Sequence, residues 1–178
     1  MSILSKKEIL NRIEKWDIIF DPIDRLDKLI AQQSIDCTLY KEWYFWWDTL
    51  INLDINGLFK QWDFFLWVID EWVGTRAGSW LCMEFKLKST AARLGITHPI
   101  AWFCENWYFS RLCIELWFSK DIRLYNNMCI WQFIFHTIEW EQEDYTVKWS
   151  YQSYTTLDDL KNKRRISDVL PKSLKIIQ

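Results

Sequence analysis

Glycine is nearly missing from this chain. There are four in 178 residues, against an average usage of about 7%. Backbone that must turn through positive φ is therefore left to bulkier residues, at a cost. Paired cysteines are missing too. Cys37, Cys82, Cys104, Cys113 and Cys129 stand singly, with no Cys-x-x-Cys among them. A zinc deaminase needs His-x-Glu with Pro-Cys-x-x-Cys, and His98-Pro99-Ile100 is not that. Free buried thiols are expected instead. The chain has no strong excess of charge. A net charge of −2 and a pI near 5.7 give no basic field to draw in nucleic acid. No uncharged apolar run is long enough to span a membrane, and Met1-Ser-Ile-Leu-Ser-Lys-Lys-Glu lacks the form of a signal peptide. These absences predict a cytoplasmic protein with neither nucleic-acid nor membrane partners.

What is present is apolar and aromatic. Half the residues are hydrophobic and 18% are aromatic, so the body of the chain is folded. Its length fits a single domain over residues 1–178. Ser5-Lys6-Lys7-Glu8 reads as a capping box opening a short helix over about 5–15, with Ile9, Leu10 and Ile13 as its apolar stripe. From Thr38 to Val73 short aromatic runs alternate with Asp, Asn and Gly, the pattern of an all-β sandwich or barrel. Gly74 to Gly78 reads as a loop, and Met83 to Leu87 as a strand. Asp121–Tyr125 and Met128–Phe135 read as a hairpin about Asn126-Asn127. After Glu139 the chain turns polar, predicting a tail over about 140–178.

The most informative stretch runs from Lys88 to Gln132. Ser89 is a good N-cap, Ala91-Ala92-Arg93-Leu94 form helix readily, and Gly95 suits the left-handed position after a helix. Such a turn offers free N–H groups to an anion, with Lys88 and Arg93 adding charge and Ser89 and Thr90 adding hydroxyls. Further on, Glu115 interrupts the apolar run Leu112–Phe118. Its carboxylate faces either solvent or a closed pocket. In a pocket, burial would raise its pKa and suit it to proton transfer.

These residues carry a resemblance. Lys88-Ser-Thr-Ala-Ala-Arg-Leu-Gly95, His98-Pro-Ile-Ala101, Cys113-Ile-Glu-Leu116 and Leu124-Tyr-Asn-Asn-Met-Cys-Ile-Trp-Gln132-Phe-Ile-Phe135 follow in order and spacing the core of the dCTP deaminase family, in the dUTPase-like superfamily. Ser5 to Pro22 is similar to the family's opening helix and Asp-Pro turn. Gln33-Ser34-Ile35-Asp36 stands where the family has Ala-Ser-Val-Asp. The resemblance implies a phage or bacterial origin and an all-β fold with short helices, a distorted β-barrel or jelly-roll of the dUTPase-like type. It also implies zinc-independent hydrolysis of dCTP to dUTP and ammonia, with Mg²⁺ held through the nucleotide phosphates, and a homotrimer.

By the same resemblance Glu115 is the general base and acid, and Ser89 helps hold the attacking water. Ala101 offers its backbone carbonyl. Lys88, Thr90 and Arg93 hold the triphosphate together with Ser89. Glu105 contacts the sugar, Gln132 a phosphate, and Tyr151 closes over the nucleotide. The chain departs from the family at Lys88 (usually Arg), Ile100 (Thr), Glu105 (Asp) and Cys129 (Arg). A dUTP diphosphatase, a bifunctional enzyme and a non-catalytic nucleotide-binding relative therefore stand as alternatives.

Tryptophan is as abundant as glycine is scarce, at 14 positions. Trp16 follows a predicted helix end and Trp62 falls in a predicted turn, both usual places for glycine. Against the family pattern Trp102, Trp107, Trp131 and Trp149 also fall on glycines. A genetic code in which UGA specifies glycine, translated with UGA as tryptophan, produces this pattern; the alternative is a divergent protein that uses tryptophan in its core and interfaces.

Overall fold

The computed structural model describes residues 2–40, 42–45, 50–52, 57–99 and 103–139. Helix α1, Lys6–Glu14, starts where Ser5 Oγ accepts the Glu8 N–H at 3.3 Å. The reciprocal half of the capping box is not made, because the Glu8 carboxylate bonds Arg12 and Asn11 instead. Strand β1 (Ile18–Asp21) follows. A 3-10 turn at Ile23–Arg25 and the short helix α2 (Leu26–Leu29) lead to β2 (Ile35–Thr38). Next come β3 (Glu42–Phe45), β4 (Leu50–Asn52), β5 (Leu58–Phe59), β6 (Phe64–Val68), β7 (Trp72–Thr75) and β8 (Leu81–Leu87). Helix α3 (Ser89–Arg93) precedes β9 (Ile96–Thr97), β10 (Phe103–Cys104), β11 (Phe109–Ser110), β12 (Cys113–Phe118), β13 (Ile122–Arg123) and β14 (Cys129–Thr137).

The strands form four antiparallel sheets in the orders β1-β7-β11, β10-β8-β14-β2, β4-β3-β6-β12-β9 and β13-β5. This is the all-β architecture with short helices that the sequence predicts. No helix among the described residues is long and apolar enough to cross a membrane.

One core joins the sheets. Phe59, Phe65, Trp67 and Phe118 meet ring to ring, with Phe59 4.5 Å from Phe65 and 4.8 Å from Phe118. The Trp67 indole N–H donates to the Tyr40 carbonyl at 3.1 Å. Along β12 Ile114, Leu116 and Phe118 point inward, while Trp117 is exposed. β8 is instead buried without a break from Leu81 to Phe85, as suits an inner strand lying between β10 and β14.

Two local expectations are corrected. Gly74 is not in a loop: β7 runs through it between β1 and β11. A Cβ there would meet the Tyr108 carbonyl oxygen at 2.3 Å, so the strand closes only on a glycine. The segments flanking Asn126-Asn127 are not a hairpin. β13 pairs with β5, while β14 pairs with β8 and β2. β14 is already paired along both edges, with β2 and β8, which leaves no edge for β13.

Of the cysteines, Cys37, Cys82 and Cys104 are free and buried, whereas Cys129 is free and exposed. Burial pushes the Cys104 thiol up to about 12, which leaves it unreactive.

Candidate active site

Helix α3 is the crossover between the two largest sheets. The backbone N–H of Lys88, at its start, donates to the Ile130 carbonyl of β14 at 2.8 Å. At its end Gly95 takes φ +86, and β9 then pairs with Trp117 and Phe118 of β12. The helix begins one residue earlier than the sequence suggests. Lys88 is the N-cap and makes no side-chain cap bond, while Ser89 is the first helical residue. Ser89, Thr90 and Arg93 are all exposed, so their hydroxyls and charge face outward from a docked turn.

Lys88 does not point into open solvent. Its ammonium is paired with the Asp36 carboxylate of β2. Gln132 lies opposite Asp36 and Lys86 in the β2-β14-β8 register. It is half-buried, and its Oε1 accepts from Ser34 Oγ at 3.2 Å. Lys88, Gln132 and Asp36 thus share one end of this sheet.

Glu115 sits on β12, opposite Leu66 of β6. It is half-buried. Burial raises its carboxyl above the ordinary range, and its own backbone N–H opposes that less strongly. Among the described residues no cation contributes to the balance. Glu115 is thus neither fully in solvent nor fully enclosed. His98, just beyond β9, packs against it, with Nδ1 2.9 Å from the Glu115 carbonyl oxygen. A carbonyl only accepts, so Nδ1 carries the proton. Burial lowers the His98 pKa and keeps the ring neutral. Nε2 is then an acceptor, buried without a partner among the described residues. The ring stands edge-on to Trp131 at 4.8 Å. His98 therefore fixes the backbone beside the candidate base.

Glu105 is placed elsewhere. It follows β10, whose Cys104 pairs with Met83, at the end of β8 away from Lys88. At about 3.3 Å per strand residue that separation is roughly 20 Å. Within one chain Glu105 and Lys88 do not meet. Ala101 and Tyr151 lie outside the described residues.

Among the described residues no three His, Cys, Asp or Glu cluster as metal ligands do. An Mg²⁺ ion carried on nucleotide phosphates requires no such cluster.

The sequence missed one buried constellation. Glu71, fully buried, accepts from Thr38 N–H at 2.8 Å and Thr38 Oγ1 at 2.7 Å, and pairs with Arg25 at 3.0 Å. Its only sequence signal was two adjacent acids, Asp70-Glu71, in an aromatic stretch.

No protein-family profile matches the chain, and no curated protein matches it. Among solved structures it is similar to the 2′-deoxycytidine 5′-triphosphate deaminase from Agrobacterium tumefaciens, with a TM-score of 0.62 and 13% identity, over 76% of this chain and 48% of that one. The chain thus spans about half the length of that deaminase. Another match is the native dUTPase of EIAV, with a TM-score of 0.41 and 10% identity, over 65% of this chain and 96% of that one. At such identities the likeness is one of backbone architecture, and on the first of these matches the chain has the all-β dUTPase-like fold.

Proposed function

We propose that the protein is a dCTP deaminase, converting dCTP and water to dUTP and ammonia without zinc. The observation that carries the reading is Glu115: a half-buried carboxyl with its pKa raised by burial and no cation among the described residues opposing the rise. A carboxyl raised in this way holds a proton more readily than an ordinary one, as a group that must both take and return a proton requires. It takes a proton from water as oxygen bonds to C4 of cytosine. It returns that proton to N3 of the base, then moves the remaining hydroxyl proton to the amino nitrogen, and the C4–N bond breaks to release ammonia as the C4 carbonyl forms. Ser89 helps hold the water, and the Ala101 carbonyl completes its setting. The exposed Ser89, Thr90 and Arg93 bind the triphosphate with Lys88, whose ammonium the phosphates share with Asp36, and with Gln132. Mg²⁺ enters on those phosphates. Tyr151 closes over the nucleotide.

The roughly 20 Å between Glu105 and Lys88 along β8 favours a site completed by a neighbouring chain, in a homotrimer. Light scattering at micromolar concentration gives three chains on this reading.

Glu115→Gln keeps shape and hydrogen bonding but removes the base. General acid–base assistance is worth about 10²–10⁴-fold, and turnover of dCTP falls by at least that factor while nucleotide still binds. Arg93→Ala instead weakens binding. Near-normal deamination by Glu115→Gln overturns the mechanism. Release of pyrophosphate from dUTP with dCTP left untouched replaces it with a diphosphatase.

A further inference from the structure

Left-handed backbone recurs in this chain at a few kinds of place, and glycine shares those places with tryptophan. Helix α3 ends with Gly95 at φ +86, and α1 ends with Trp16 at φ +61. At Trp16 the closure is a complete Schellman motif: Trp16 N–H donates to Ile13 O at 2.9 Å and Asp17 N–H to Arg12 O at 2.8 Å. Its central residue is usually glycine. Four turns closed by a hydrogen bond from their fourth residue to their first carry positive φ at the third. They are Arg76–Ser79, Tyr125–Met128, Lys60–Asp63 and Glu105–Tyr108. Their third residues are Gly78 at φ +68, Asn127 at +62, Trp62 at +70 and Trp107 at +74. The second residue of each has no positive φ, the type II pattern that asks for glycine or asparagine. Trp80, before β8, has φ +60.

Among the described residues, four of the five non-glycine residues at positive φ are thus tryptophan, and the fifth is the asparagine that tolerates it. A bulky residue in this region is a genuine outlier. Nor do most of these indoles gain burial in return: Trp16 is 70% exposed, Trp62 69% and Trp80 43%. Trp67 is the contrast. It is fully buried in β6, with its indole N–H on the Tyr40 carbonyl, and behaves as a tryptophan throughout. Trp131 is buried in β14 with no positive φ, so its backbone makes no demand for glycine. Trp102 and Trp149 lie outside the described residues.

We propose that Trp16, Trp62, Trp80 and Trp107 stand where the protein made by its source has glycine, through a single codon, UGA, that the source reads as glycine. The inference is independent of the proposed activity, because it rests on backbone angles alone. It assigns Trp80, which neither helix-end nor turn patterns pick out, and separates Trp67 as a true tryptophan. It also gives the Glu105–Tyr108 turn the residue its geometry requires, beside the Trp107 N–H that donates to Thr75 Oγ1 at 3.1 Å.

The test is peptide mass spectrometry on the protein from its natural source, with the coding DNA. Glycine at all four positions, tryptophan at Trp67, UGA at the four codons and UGG at the fifth are the expected results. Tryptophan at the four positions in native peptides overturns the proposal. A second measurement compares the chain as written with one carrying Trp16→Gly, Trp62→Gly, Trp80→Gly and Trp107→Gly. The glycine chain melts higher by on the order of 2–4 °C or more per site. A glycine chain that melts at the same temperature or lower counts against the backbone argument.

Discussion

Arg25→Met removes the cation that is paired with a fully buried acid. Glu71 holds three contacts: the Thr38 N–H, the Thr38 hydroxyl and the Arg25 guanidinium. Methionine keeps the straight stem of arginine but removes its charge and its donors. Removing one partner of a buried pair typically costs about 3–5 kcal/mol. Arg25 is itself 26% exposed, so water offsets part of the loss, and Thr38 keeps its two bonds. A cost of about 2–3 kcal/mol at pH 8 follows, which lowers Tm by about 4–12 °C for a chain of this size. The pH dependence has a definite sign. Burial already raises the Glu71 pKa above 4.5, and Arg25 is among the groups holding it down. Without Arg25 it rises further. Between the unfolded and folded pKa the native state binds more protons, so stability falls as pH rises through that window. The variant is therefore close to the parent near pH 4.5 and loses most at pH 8. The assay is thermal denaturation of parent and variant at both pH values. A Tm unchanged at pH 8, or a greater loss at pH 4.5, refutes the reasoning.

Gly74→Ala puts a Cβ 2.3 Å from the Tyr108 carbonyl oxygen and 2.6 Å from Phe109 Cα, both backbone atoms that cannot swing aside. Forced backbone shifts typically cost about 1–3 kcal/mol or more, so the urea midpoint falls; an unchanged midpoint contradicts the β7–β11 packing. For the reaction, Glu115 must be ionised to accept a proton, and burial raises its pKa. The acid limb of the kcat/KM profile for dCTP therefore lies above the ordinary carboxylate range. A limb at or below about pH 4.3 removes Glu115 from the role of base.

The sequence alone determined the classes of structure and their order. Ser5 with Glu8 marked the first helix, and short apolar runs such as Leu112–Phe118 marked strands, because capping and runs of apolar residues are local properties written in neighbouring residues. The spacing from Lys88 to Gln132 was enough to suggest the dUTPase-like fold, and the excess of tryptophan was visible as composition. What remained was non-local. Which strand β14 takes as partner, that Gly74 lies within a strand, and that Lys88 meets Asp36 all depend on segments far apart in sequence, which local patterns cannot rank. The Arg25–Thr38–Glu71 cluster is of the same kind, since three segments far apart in sequence bring its groups together. Only the folded backbone, by fixing the sign of φ at each turn, separated the tryptophans that fill a core from those that occupy the place of a glycine.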